Sequence, residues 1–421
     1  MIAGQNPIGD FKKFELSNGL RVLLRTDHSL PLAALQVWVR CGSVDEDHRV
    51  AGIAHFMEHM VFKGNPNTRD ISRIVESCGG TINAATQHEL THYYTDVPQE
   101  GLEPAVTALG EALTSPHLLA EEIEKERRVI LEEMARRDDS PNAVLWDKFM
   151  GSIYEGTPYG QSVIGSRKTL CHIERRHLAE FHKKNYTASR MVAVCAGDFS
   201  ERRILSLMES AFGNLPKGKE ESNGLNARAF GRAGRPIVLK RPVQQGYLAC
   251  GFHTPGLSNP DLVTLDVMAD LLGGGASSRL YRRLREERQL LWSVGANLIS
   301  YRHSGILGIF AEVPRANLDE SITAIQQEMD GLEKEPVTEP EIQRAKARIR
   351  SEWLNELETL HGQASLIGHL TALGQEEIAL RYLKDLETID GSDIQATCLD
   401  ILKDKPMTVA MIRPKNNSKK S

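Results

Sequence analysis

Short apolar runs separated by helical returns occur twice along the chain. In the first half, Leu20–Leu24 and Leu32–Arg40 (LAALQVWVR) read as strands, and a helix follows around residues 53–62. In the second half, Pro236–Leu239 and Gly246–Phe252 (GYLACGF) read as strands, followed by a helix from about Asp261 to Leu272. Each half then closes on a β-rich run after a helix, MVAVCA at Met191–Ala196 and MTVAMI at Met407–Ile412. This repetition predicts a weak internal duplication. Between the halves, Pro216–Gly234 is rich in Gly, charge and polar residues, which is linker composition. The expected division is therefore residues 1–216, a linker at 217–234, and residues 235–421. Strands with long helical returns predict α/β (α+β) layers, each a mixed or antiparallel sheet with helices packed on one face.

At 421 residues the chain is too long for one compact domain and suits two of about 200 residues each. Hydrophobic residues make up 41%, ordinary for a globular protein, and no run of about 18 apolar residues predicts a membrane helix. The start, MIAGQNPIGDFKKFELSNG, lacks a basic stretch followed by an apolar core, so the expectation is a cytoplasmic protein, unless the numbering begins on a processed chain. Six cysteines show no close pairing or C-x-x-C spacing and read as reduced, mostly buried small hydrophobes. A net charge of −5 argues against a general nucleic-acid binder.

Candidate chemistry concentrates at His55-Phe56-Met57-Glu58-His59. On a helix His55 and His59 lie at i and i+4, so both imidazoles leave the same face and can grip one metal ion. Glu58 is then within reach of a water on that metal. The order H-x-x-E-H is the inverzincin pattern, the reverse of the usual zinc-peptidase order. Ile53, Ala54, Phe56, Met57, Met60, Val61 and Phe62 surround these residues, so the helix is expected to be largely buried. Buried His and Glu need partners, and a metal supplies them.

Two histidines leave a zinc site one protein ligand short, with a fourth position for water. The acidic segment Glu121–Arg137 (EEIEKERRVILEEMARR) offers candidates. Glu126, Val129, Ile130 and Glu133 fall at i, i+3, i+4 and i+7 and are expected on one inward face. Glu132 instead aligns with Arg128 and Lys125 on a solvated face. Both Glu133 and Glu126 therefore remain candidates on this reading.

The second half carries no H-x-x-E-H at the equivalent helix, which reads Leu265-Asp266-Val267-Met268-Ala269-Asp270, so one metal site per chain is expected. Gly273-Gly274-Gly275 lacks the G-x-x-x-x-G-K-[ST] phosphate loop. These glycines are expected to end the helix and let the backbone pass close to a neighbour.

Taken together, these segments resemble the pitrilysin–insulinase–mitochondrial processing peptidase family, in its bacterial, two-domain, half-length form. Glu133 follows His59 by 74 positions and Glu126 by seven, matching the family's Glu ligand and the acidic residue before it. Gly79–Thr86 (GGTINAAT) and Thr91-His92-Tyr93-Tyr94 are similar to the family's strand after the motif helix. The resemblance implies two homologous domains, zinc ligands His55, His59 and Glu133, Glu58 as general base, and Glu126 as a carboxylate just outside the ligands. It also implies a strand at Asn83 and Ala84 that accepts an extended peptide. In the family an Arg, with a Tyr seven residues later, binds the substrate backbone. Here Arg285 fits, but Trp292 stands at the Tyr position, and an indole donates a hydrogen bond without accepting one. That puts oxyanion assistance there in doubt and leaves Trp292 a packing role against substrate.

The implied activity is a zinc endopeptidase acting on peptides or on unfolded or presequence-like polypeptides. In it, Glu58 takes a proton from a zinc-activated water of pKa ~7 and passes it to the leaving amine. A non-catalytic core subunit of the same family is the alternative, although such relatives lose pieces of the motif and nothing is lost here. Single-chain members are longer and enclose a chamber, so a second chain is expected to complete the site: a homodimer, or else a heterodimer with a metal-free paralogue.

Overall fold

The segment LAALQVWV forms β3 (Leu32–Val39), and every residue in it after Leu32 is buried. A strand buried on both faces reads as a continuous apolar run rather than an alternation. In the computed structural model, which describes residues 10–65, 70–219, 235–402 and 405–415, this strand lies inside a six-stranded sheet. The other strands are β1 (Lys12–Glu15), β2 (Arg21–Thr26), β4 (Thr81–Thr86), β5 (Thr91–Pro98) and β6 (Met191–Gly197). Their order is β1-β2-β6-β3-β5-β4. Only β2 and β6 run parallel; the remaining pairs are antiparallel. The β5 residues THYYTDVP alternate buried and half-buried, as a strand nearer the margin should. Beyond it β4 ends the order, with β5 as its partner.

The second sheet is built from β7 (Ile237–Arg241), β8 (Gly246–Thr254), β9 (Ser293–Ser300), β10 (Gly305–Val313) and β11 (Thr408–Pro414). Its order, β7-β11-β8-β10-β9, repeats β2-β6-β3-β5-β4 strand for strand, including the parallel pair made by the first and last strands. The duplication expected from the apolar runs is thus present as a shared topology. The strands at 20–24, 32–40, 191–196, 236–239, 246–252 and 407–412 all form within a residue or two of their expected bounds. All six cysteines are free, four of them buried. Among the described residues no helix is long and apolar enough to cross a membrane.

The division into two contiguous halves needs a correction. Among the described residues, the first unit takes those up to Met134 and those from Gln161 to 219, and also Trp353–Leu380 from late in the sequence. The second takes Ala135–Gly160 along with the rest of the second half. Most of the expected linker, residues 220–234, lies outside the described residues.

The reason is the need to cover both faces of each sheet. Leu35, Val37 and Val39 point into the first unit's core with Phe56, Met57 and Met60, while Gln36 and Trp38 point the other way. There the helix Leu360–Ala372 meets them: Gln36 Nε2 donates to the His361 carbonyl (3.1 Å) and to Ser365 Oγ (2.9 Å). In the second unit the helix Pro141–Ile153 does the same work, with Trp146 and Phe149 against Phe310 at 5.8 and 6.0 Å between ring centroids. Periodicity within a segment does not say which sheet will claim it.

Candidate metal centre

The motif helix (Ile53–Phe62) begins at Gly52, whose φ of 95° is left-handed. A Cβ there would come 2.6 Å from the Ile164 carbonyl oxygen, so both conformation and space demand glycine. Glycine cannot cap the exposed N–H groups of the first turn, and Glu46 does so instead. Its two carboxylate oxygens accept from Gly52 N–H and Ala54 N–H, each at 2.8 Å. Burial pushes Glu46 up to about 8, with the two backbone bonds pulling the other way.

Phe56, Met57, Met60 and Val61 are fully buried and anchor the helix, each worth roughly 1.5–3 kcal/mol in transfer free energy for the larger side chains. His55 and His59 leave a common face with ring centroids 4.8 Å apart. The facing helix, Ala120–Asp139, brings Glu133 between them. Its Oε2 lies 3.7 Å from His55 Nε2 and 3.6 Å from His59 Nε2. Four ligands at roughly 2.0–2.1 Å from a tetrahedral zinc would stand roughly 3.3 Å apart, so these three donors need to close by only a few tenths of an ångström. Among the described residues this is the one group of three His, Cys, Asp or Glu side chains with donor atoms close enough to share an ion. Two imidazoles and one carboxylate are a zinc-type donor set.

Glu126 takes a different part. Its Oε2 accepts from His59 Nδ1 at 3.0 Å, while Lys63 Nζ sits 2.6 Å from Oε1. Burial pulls Glu126 up, but His59 and Lys63 outweigh it and hold the carboxylate below its ordinary range. Burial likewise opposes charge on His59, yet Glu126 and Glu133 raise it to about 9 in the metal-free chain. With Nδ1–H committed to Glu126, Nε2 is the nitrogen left to ligate.

Glu58 is only 8% exposed, and burial raises its carboxyl above the usual range. Thr86, the last residue of β4, donates its hydroxyl to Glu58 Oε2 at 2.5 Å. Asn83 and Ala84 stand on the same strand, Asn83 exposed and Ala84 half-buried. The metal-site residues and the margin of the sheet are therefore one assembly within the first unit.

On the acidic helix, Glu132 is exposed and Glu126 buried, as the helical spacing predicts. Val129 departs from that spacing: it is 41% exposed, and the inward stripe is Ile123, Glu126, Arg127 and Ile130. The helix presents Arg127 inward because its guanidinium finds partners there. It donates to the carbonyls of Leu170 and Ile173, bonds Glu124, and lies 5.4 Å from the Phe56 ring centroid. Sequence reasoning missed Arg127, Lys63, Glu46 and Thr86. Each acts on an element distant in sequence or through a backbone group, and neither leaves a spacing signature.

In the second unit, Arg285 sits on a π-helical turn, Tyr281–Glu287. Its Nε donates to the Trp292 carbonyl at 2.7 Å, so the two residues are neighbours. The guanidinium also covers the Tyr281 ring at 4.5 Å and bonds its hydroxyl. The Trp292 side chain is 51% exposed. In the helix equivalent to the motif helix, Leu262–Gly273, Asp266 bonds Tyr382 and Asp270 pairs with Arg348. Gly273 ends that helix, and a Cβ on it would strike the backbone of Ala296, the close approach expected there.

Comparison with known proteins agrees with this architecture. Residues 21–167 match the family model described as insulinase (peptidase family M16), and residues 172–349 match the peptidase M16 inactive domain. An uncharacterized zinc protease of Mycobacterium leprae is 33% identical over 84% of this chain and 80% of its own length. One from Rickettsia felis is 32% identical over 96% of this chain and 98% of its own. In fold, a protease from Helicobacter pylori superposes with a TM-score of 0.88 at 23% identity, covering 96% of this chain and all of that one. Relatives 32–33% identical over 84% and 96% of the chain, with family models matching residues 21–167 and 172–349, mean that the chain belongs to the insulinase family of peptidases, M16.

Proposed function

We propose that this protein is a zinc-dependent endopeptidase, with His55, His59 and Glu133 as ligands of one zinc ion per chain and Glu58 as general base. The observation that carries the reading is the meeting of three donor atoms from two helices with Glu58 directly beside them. Naming of relatives as zinc proteases supports it. When bound, zinc supplies Lewis acidity, acidifying a water toward a pKa of ~7 and polarising the scissile carbonyl. Glu58 takes the proton of the attacking water and hands it to the departing amine. Glu126 keeps His59 in the tautomer that offers Nε2. An extended peptide adds to β4 beside Asn83 and Ala84, since β4 ends the strand order. Glu58→Gln should keep zinc and lose turnover by about 10²–10⁴-fold. Near wild-type cleavage in that variant would sink the assignment.

The same fold occurs in a Candida albicans Complex III2 structure, with a TM-score of 0.80 at 16% identity, so a core-subunit role is the second reading. Failure to bind zinc, with no chelator-sensitive cleavage of a quenched peptide, would leave that reading standing.

We further propose a homodimer in which Arg285 and Trp292 of one copy serve the substrate at the other copy's zinc, a metal-free paralogue being the alternative partner. Mixing Glu58→Gln chains with Arg285→Ala chains tests this. Restored cleavage is expected; no restoration, with both variants folded and dimeric, counts against sharing.

A further inference from the structure

A buried general base must be held as well as supplied. The terminal torsion of a Glu side chain is broad, so a carboxyl with only apolar neighbours would swing. Glu58 is 8% exposed and is gripped at one point of the sheet. Thr86 Oγ1 donates to its Oε2 at 2.5 Å. A charged acceptor makes such bonds short and roughly twice as strong as neutral ones.

Thr86 is itself firmly placed. It pairs with Thr91 of β5, and Thr91 is 1% exposed with its hydroxyl on the Cys41 carbonyl at 2.9 Å. The end of β4 is therefore fixed to the buried interior of the sheet, and with it the donor that faces Glu58. Two residues back on the same strand is Ala84, about 7 Å away at the rise of an extended chain. One strand thus holds the base at its end and presents its margin along its length.

We infer that Thr86 is a positioning residue for the reaction: it pins Oε2 of Glu58, leaves Oε1 to handle the proton, and ties the base to the strand along which the peptide lies. This rests on the reading of Glu58 as general base. The contribution of Thr86 passes through Glu58, the carboxyl that its hydroxyl bonds.

The test compares Thr86→Val, which keeps the shape and removes the donor, with Thr86→Ser, which keeps the donor. Glu58→Gln runs beside them. For Thr86→Val, kcat should fall about 10- to 100-fold while KM stays within about twofold, and zinc per chain should be unchanged. Thr86→Ser should recover most of kcat. In crystals of metal-free Thr86→Val the Glu58 carboxyl should leave its position. If Val disrupts folding, Thr86→Ala takes its place against Ser. Wild-type kcat in the donorless variant, equal losses in the donorless and Ser variants, or an unmoved Glu58 carboxyl would each overturn the role of Thr86. An inactive Glu58→Gln beside an unimpaired Thr86→Val would remove only this inference, whereas an active Glu58→Gln would remove the base assignment beneath it.

Discussion

His59 Nδ1 lies 3.0 Å from Glu126 Oε2, on the opposite side of the imidazole from the nitrogen that faces Glu133 at 3.6 Å. One ring thus separates two carboxylates seven residues apart on one helix and gives each a different task. On the proposed zinc site, Glu126 is the orienting carboxylate and Glu133 the ligand. Glu126→Ala should weaken zinc affinity about 10- to 100-fold without removing any ligand. Competition against a chelator of known affinity would measure it, and an unchanged affinity would mean that Lys63 and packing alone orient His59.

Glu133 and Glu132 are adjacent but face differently. Glu133→Gln should strip most of the zinc at chelator concentrations that the parent protein tolerates, because an amide is a poor replacement for a carboxylate ligand. Glu132→Gln should behave like the parent, since Glu132 is exposed. Metal content after dialysis reads both, and equal losses would mean the wrong helix face had been assigned.

The face of the first sheet under Leu360–Ala372 should carry a pH dependence of stability separate from the candidate metal centre. His92 stacks on Trp38 at 4.0 Å and 6° and on Tyr94 at 4.8 Å, while His369 meets Trp38 edge-on at 5.5 Å. Burial lowers both histidines to about 4, below their ordinary 6.5, so the fold favours their neutral forms. Stability from them is complete above pH 6.5 and is lost as pH falls from 6.5 toward 4, by about 2 kcal/mol per histidine at pH 5. His361, raised by Asp96 at 3.0 Å, works in the opposite sense and offsets part of the loss. His92→Phe with His369→Leu should flatten the decline in urea midpoint between pH 8 and pH 5. Parallel declines in parent and variant would show that these rings do not titrate with unfolding.

How much of this was legible beforehand depends on distance along the chain. The strand runs, the duplication and the i, i+4 pairing of His55 with His59 are local relations, and they appear where the apolar pattern placed them. The inward stripe of the acidic helix was only partly legible. Helical spacing puts Val129 beside Glu126 and Ile130, but the end of the helix Arg167–His172 offers Arg127 the Leu170 and Ile173 carbonyls and the motif helix offers it the Phe56 ring, and the stripe turns accordingly.

By itself, then, the sequence determined the motif helix, the absence of its counterpart motif in the second half, and two carboxylates seven residues apart on one helix. Those follow from backbone periodicity, which each segment carries within itself. Tertiary structure alone decided that Glu133 meets both Nε2 atoms while Glu126 takes Nδ1 of His59, that Thr86 grips Glu58, and that Trp353–Leu380 joins the first unit. These depend on how elements far apart in sequence pack, where buried polar groups must find partners and both faces of a sheet must be covered. No spacing within one segment encodes that choice.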